Sequence, residues 1–321
     1  MQIIGLVMDK LLQHHRIPLH PESPYRLQWL QEHLADSKLL AHAKVIAPKK
    51  VRDHEMRMVH ATEYLQSIRA PIEAGYVFLD NDTGLEPTSF ETACYAAGGV
   101  IEAVNGIMYD EFSRALCLVR PPGHHAQGGR ALGFCLLNNV AIGVRYLQAK
   151  YDLKNIIVID FDAHHGIGTQ SIFYQDDSVC YLSLHEKNLF TSSGSRHETG
   201  SGPGKGYTYN FPLSPHSGEQ AVMRIIQGQL PAIFARFDPQ FIFLSAGFDG
   251  HWRDSFSSLR WQSSTYYKLT RSIVDLSLHY CEGRIVSVLE GGYDKTGLQE
   301  SVAYHYRALI GEDIDDLMPL V

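Results

Sequence analysis

Short apolar runs alternate along the chain with longer segments of helical spacing. The runs are Ile3–Met8, Ala115–Val119, Ile156–Ile159, Val179–Leu184, Phe241–Ser245 and Ile285–Leu289. They are nearly continuous rather than alternating, which is the pattern of strands buried on both faces of a parallel sheet. Between them, apolar residues recur at helical intervals over Pro24–Leu40, Ser89–Tyr109, Asn138–Tyr151, Gly218–Phe237, Ser263–Cys281 and Gly297–Ile310. Strands alternating with helices predict an α/β fold, a doubly wound, mostly parallel sheet with helices on both faces. Neither a repeat nor a low-complexity linker divides the chain. The whole of 1–321 therefore reads as one domain, although its length alone would also allow two.

Composition narrows the class. Hydrophobic residues are 45% and charged residues 20%, which excludes a disordered chain. A net charge of −7 argues against a nucleic-acid partner. The five cysteines are odd in number, far apart and free of any CxxC pair. They read as buried thiols in a reducing compartment, not as a disulfide framework or a cysteine zinc site. The start MQIIGLVMDK lacks the pattern of a signal peptide, and no apolar run is long enough to cross a membrane. A cytoplasmic protein without a membrane partner is the expectation. The 17 histidines are the unusual number. His14, His15, His33, His42, His279 and His305 read as surface or helix residues without a chemical role.

In doubly wound folds ligands sit beyond the carboxyl ends of the strands. The residues there are RPPGHHA (120–126), DFDAHHG (160–166), SLHE (183–186), AGFDGH (246–251) and EGGYD (290–294). Asp160, Asp162 and His164 share parity at one strand end, so their side chains are expected on one side. Two carboxylates and an imidazole held together call for a cation. Asp162 and His164, with Asp249 from another strand end, make the three-ligand set of a catalytic zinc site. Asp160 is placed to orient His124 by a hydrogen bond. A zinc bound by two carboxylates acidifies its water less than an all-histidine zinc does, so such a site needs a protein base, and a histidine suits that role. Tyr293 after Gly291-Gly292 can donate a hydrogen bond to a substrate carbonyl, or it can be a packed aromatic in a strand-ending turn.

These segments, with GFCLLNNVAI (133–142), VIDFDAHHGIGTQ (158–170), HPESPYRL (20–27) and LDNDTGLEPTSF (79–90), resemble the histone deacetylase family. That zinc-dependent superfamily includes acetylpolyamine amidohydrolases and bacterial deacetylase-like proteins. The resemblance runs from about residue 3 to 310 and is closer to the class II and bacterial branch. It implies the arginase/deacetylase fold and hydrolysis of acyl groups from lysine, in a protein or peptide or in an acetylated polyamine. It implies one zinc on Asp162, His164 and Asp249, with His125 as general base and acid, His124 as its electrostatic neighbour and Tyr293 polarising the acyl carbonyl. Phe134 and Phe190 match the aromatic walls of the acyl-lysine tunnel and Asp82 the rim aspartate, and Gly291 and Gly292 are expected among the substrate-binding residues. Asp160, Ser183 and Leu184, with backbone oxygens of Asp162 and His164, match a structural potassium site.

The departures concern activity and the rim. Ile167 stands where the family carries Asp, Asn or Gln, so His125 is expected to lack its usual polar partner. Phe256 lies in Asp254-Ser255-Phe256-Ser257, in place of an Asp-Pro-Leu-Gly run, and is expected to reshape the tunnel mouth. Leu189-Phe190-Thr191-Ser192 replaces a Pro-Gly turn. An arginase-like binuclear manganese site would need a carboxylate at position 166, which is glycine. A third possibility is an acyl-group binder that has lost catalysis.

Overall fold

The computed structural model describes residues 1–313; residues 314–321 of the expected domain lie outside the described residues. The strands are β1 (Ile4–Val7), β2 (Ala43–Ile46), β3 (Arg114–Cys117), β4 (Ile156–Asp160), β5 (Val179–Glu186), β6 (Thr208–Leu213), β7 (Phe241–Ala246) and β8 (Ile285–Leu289). They form one eight-stranded sheet in the order β2-β1-β3-β8-β7-β4-β5-β6. Every pairing is parallel, so the sheet is wholly rather than mostly parallel. The helices are α1 (Tyr25–Asp36), α2 (Asp53–Met56), α3 (Thr62–Glu73), α4 (Ser89–Met108), α5 (Asn139–Tyr151), α6 (Ile167–Phe173), α7 (Glu219–Phe237), α8 (Ser263–Tyr280) and α9 (Lys295–Ile310).

Every residue of β4, β5, β7 and β8 is buried, as expected of strands covered on both faces. Helices α1, α9, α8 and α7 pack side by side in one group, and α4, α5, α2 and α6 form another. The short apolar stretch Ile-Ile-Val-Ile of β4 illustrates the logic: β-branched side chains fit a pleated surface, and here both surfaces are covered. The five cysteines are buried and free.

The two strands absent from the apolar pattern are the sheet edges. β2 has exposed Lys44 and Val45, and β6 interposes Asn210 and Pro212 among its apolar residues. An edge strand has one solvated side, and proline is tolerated there, so neither presents a continuous apolar run. His15 corrects an expectation. It is buried rather than on the surface, with its Nδ1 2.8 Å from the Ser89 hydroxyl. His305, on α9, is likewise buried, between Thr270 and Ser287.

Candidate active site

The central strands β3, β4, β7 and β8 all point their carboxyl ends at one cavity. β4 stops at Asp160, so Asp162 and His164 lie in the turn that follows rather than on an extended strand. They still converge, because Asp160 Oδ1 accepts the Asp162 N–H at 3.2 Å and Asp162 Oδ1 accepts the His164 N–H at 2.8 Å. Asp249, beyond β7, fixes the same turn by accepting the Ala163 N–H at 2.8 Å. His164 Nδ1 then lies 2.8 Å from Asp249 Oδ2 and 3.1 Å from Asp162 Oδ1. One ligand atom from each of the three falls within 4.8 Å of the others.

This donor set suits a divalent cation. A single Nδ1 proton cannot serve two carboxylates at once, and both carboxylates are buried. Without a cation the proton balance is forced. Burial, then Asp162, pushes the Asp249 carboxyl up to about 7. Burial opposes a charge on His164, but Asp249 and Asp162 outweigh it and raise its pKa well above the ordinary value. Gly291 sits against the ligands: a Cβ there would lie 2.5 Å from Asp249 Oδ2 and 2.6 Å from Asp162 Oδ2. Its bare N–H instead donates to Asp162 Oδ2 at 2.8 Å. A side chain at position 166 would have to displace Asp160, whose Oδ2 lies 2.1 Å from where a Cβ would stand. Among the described residues this is one group of three ligands, without a second.

The two histidines after β3 differ. His124 Nδ1 donates to Asp160 Oδ2 at 3.1 Å, and Tyr181 donates to the same oxygen at 3.0 Å. Burial disfavours charge on His124, yet Asp160, Asp162 and Glu290 override it and hold its pKa up at about 10. His125 stacks beside it at 3.9 Å between ring centroids, and its buried Nδ1 has no hydrogen-bond partner among the described residues. Burial, then the neighbouring His124 and His164, push its pKa well down. The missing partner agrees with the expectation drawn from Ile167.

The cavity, of about 110 Å³, is lined by Asp82, His124, His125, Phe134, Asp162, His164, Phe190, Phe256, Gly291 and Tyr293, together with Pro122 and Gly133. Gly292 is not among the lining residues, and its φ is 121°. Phe134 adopts φ 68°, a rare conformation for a bulky residue, which turns its ring into the cavity wall. It meets Tyr293 edge-on at 6.0 Å, and Phe190 faces His125 at 5.0 Å. Phe256 packs on Tyr293 at 4.4 Å. Asp160 and Ser183 are register partners across β4 and β5, with Leu184 next along the strand.

Three supporting residues have no chemical signal of their own in the sequence. Glu290 Oε2 accepts the N–H groups of Gly123 at 2.7 Å and His124 at 3.2 Å, tying the two-histidine turn to β8. Asp254 Oδ2 accepts the Tyr293 N–H at 2.6 Å, and its Oδ1 accepts the Phe256 N–H at 2.9 Å. Arg26 donates to the carbonyls of Gly292 at 2.7 Å and Glu290 at 2.6 Å, with its guanidinium 5.0 Å from the Tyr293 ring. Each lies inside or near a motif, but only the fold brings it to the tyrosine or histidine it holds.

Comparison with known proteins agrees with this geometry. The histone deacetylase domain family matches residues 20–309. A probable deacetylase of Archaeoglobus fulgidus is 37% identical over 298 residues, covering 92% of this chain and 82% of its own. A histone deacetylase-like amidohydrolase of Pseudomonas aeruginosa is 34% identical over 277 residues, covering 86% of this chain and 73% of its own. The crystal structure of the HDA15 HD domain superposes with a TM-score of 0.92 at 31% identity, covering 97% of this chain and 89% of that one. No helix among the described residues is long and apolar enough to cross a membrane. With a matching fold, a matching sequence over most of its length and a cluster of acids and histidines at the strand ends, the chain belongs to the histone deacetylase family.

Proposed function

We propose that the chain is a zinc-dependent amidohydrolase that removes acetyl or other acyl groups from lysine side chains of a protein or peptide. One observation carries this reading: a three-ligand cluster, a pair of histidines and a tyrosine converge on a single cavity walled by aromatic rings. Asp162, His164 and Asp249 would hold the zinc, which when bound supplies Lewis acidity to the amide carbonyl and the attacking water. The rings of Phe134 and Phe190 flank the lysine methylenes and exclude bulk water. His125 takes a proton from the water as it attacks. Tyr293 donates its hydroxyl hydrogen bond to the carbonyl oxygen as charge develops there. His124, fixed by Asp160, supports the charge passing through His125. The C–N bond breaks with a proton delivered to the lysine amine, leaving a free amine and a carboxylic acid. A potassium ion on Asp160, Ser183 and Leu184, with backbone oxygens of Asp162 and His164, would stiffen the β4 and β5 ends beneath the site.

Replacing Tyr293 with Phe tests the assignment. Turnover of acetyl-lysine peptides should fall by roughly 10²-fold or more, while zinc content measured by plasma mass spectrometry stays at the wild-type level. Unchanged turnover would remove Tyr293 from the chemistry. Two further readings each have one supporting observation. Asp82 lines the cavity, and a rim carboxylate suits the ammonium groups of an acetylated polyamine as well as peptide amides. His125 Nδ1 has no partner, which suits a weak catalyst or an acyl-lysine binder. A panel of acyl-lysine peptides and acetylpolyamines, assayed with and without chelator, separates the three.

A further inference from the structure

Beside the tunnel, the loop that carries Phe190 opens a second crevice of about 370 Å³. Lys187, Arg196 and His197 line it with the hydroxyl groups of Ser192, Ser193, Ser195 and Ser214, and no carboxylate is among its lining residues. Lys187 and Arg196 are exposed, and neither has an ion pair among the described residues. That is unusual for a basic hollow on a chain of net charge −7. In the groove containing Lys49, Lys50 and Arg52, each cation is matched by Glu102, Glu91 or Glu55.

The crevice is also held rigid from below. The carbonyl of Gly194 accepts from His185 Nε2 at 3.1 Å, so His185 Nδ1 accepts the Ser183 hydroxyl at 2.8 Å. His165 Nδ1 lies 2.7 Å from the Ser193 hydroxyl, while its Nε2 donates to Gln170 at 3.0 Å. Glu198 is fully engaged, accepting the N–H groups of Gly194 at 3.1 Å and Ser195 at 2.9 Å and the Gln170 amide at 2.6 Å. Two histidines outside the proposed chemistry thus fix the loop shape, and the one nearby carboxylate in this network is turned inward. A hydrogen-bonded loop that carries cations free of ion pairs among the described residues favours an anionic group on charge.

We infer that this crevice binds an acidic side chain, Asp or Glu, carried on the same polypeptide as the acyl-lysine, and so gives the enzyme a preference for acidic peptide substrates. The inference rests on the acyl-lysine reading above. Phe190 lines the tunnel and Ser192 lines the crevice two residues later, so an extended substrate, at ~3.3 Å per residue, reaches from one to the other within a few positions.

The test is a set of acetyl-lysine peptides with Glu, Gln or Lys placed in turn at positions one to five on each side. Turnover is measured at low and high salt, and binding is followed by fluorescence anisotropy. At one or more positions Glu should raise kcat/KM over Lys by about tenfold or more, with the gain shrinking as salt screens it. Lys187→Ala with Arg196→Ala should bring that ratio close to one, and Arg196→Glu should invert it. Turnover with no Glu preference at any position overturns the subsite and leaves the deacylase reading standing. Charge-selective binding without turnover supports the subsite and removes the deacylase reading. A preference that survives both substitutions, or an absence of both turnover and charge-selective binding, overturns the subsite.

Discussion

Two buried charged clusters lie close together in this fold and behave in opposite ways. In the first, Glu22 is enclosed by Arg26 and Arg120, with all three side chains fully buried. Its Oε2 accepts from Arg120 at 2.7 Å and its Oε1 from Arg26 at 3.1 Å, and the remaining guanidinium donors reach backbone carbonyls of Leu12, His15, Gly292 and Glu290. Burial alone would raise the Glu22 carboxyl, but Arg120 and Arg26 hold it down at about 2. The second cluster, Asp162, His164 and Asp249, has more acceptors than protons and faces a cavity. A closed charge network shapes a fold, whereas a surplus of acceptors at a cavity is the signature of a ligand still to be supplied.

The largest effect is expected from breaking the open cluster. Asp249→Ala should lower metal content and reduce turnover by about 10³-fold or more. Circular dichroism should remain native, because the substitution removes one of two closely placed buried carboxylates. Next comes the closed cluster. Glu22→Gln strands two buried guanidinium groups and should cost about 3–5 kcal/mol, read as a fall in the thermal midpoint. If the two variants exchange their effects, with Asp249→Ala unfolding the chain and Glu22→Gln sparing it, the contrast is wrong.

A smaller effect concerns the histidines that never reach the cavity. Burial lowers the pKa of His60 and His15 to about 4 and of His305 to about 3, from an ordinary 6.5. A group whose folded pKa is depressed binds its proton first in the unfolded chain. The stability these neutral rings allow is therefore intact above pH 6.5 and is lost as pH falls from there toward 4 and then 3. Urea midpoints should decline through that window. His60→Gln should flatten the decline, provided Gln keeps the bonds to the Asn138 N–H and the Gln127 carbonyl.

Much of this is legible in the amino-acid sequence. The runs that became β4, β5, β7 and β8 are apolar without alternation because both faces are buried, so the central sheet could be read directly. The edges could not, since the exposed Lys44, the half-buried Pro212 and the buried, hydrogen-bonded Asn210 interrupt their apolar residues. The residues with distinctive chemistry, Asp162, His164, Asp249, His124, His125 and Tyr293, announced themselves by type and by their position after a strand. Those that act through hydrogen bonds to backbone did not. Asp254 and Glu290 look like any acid in the sequence, and their purpose lies in N–H groups contributed by residues 39 and 167 positions away.

The chain alone therefore determined the layer architecture and the residue types gathered at one rim, because periodicity and strand ends are local properties. Only the tertiary structure decided which acids meet which cations. It closed Glu22 between two arginines, left Asp162 and Asp249 competing for one imidazole nitrogen, and left Lys187 and Arg196 without an ion pair among the described residues. Charge balance at a point is a sum over residues distant in sequence, and folding is what brings them within reach of one another.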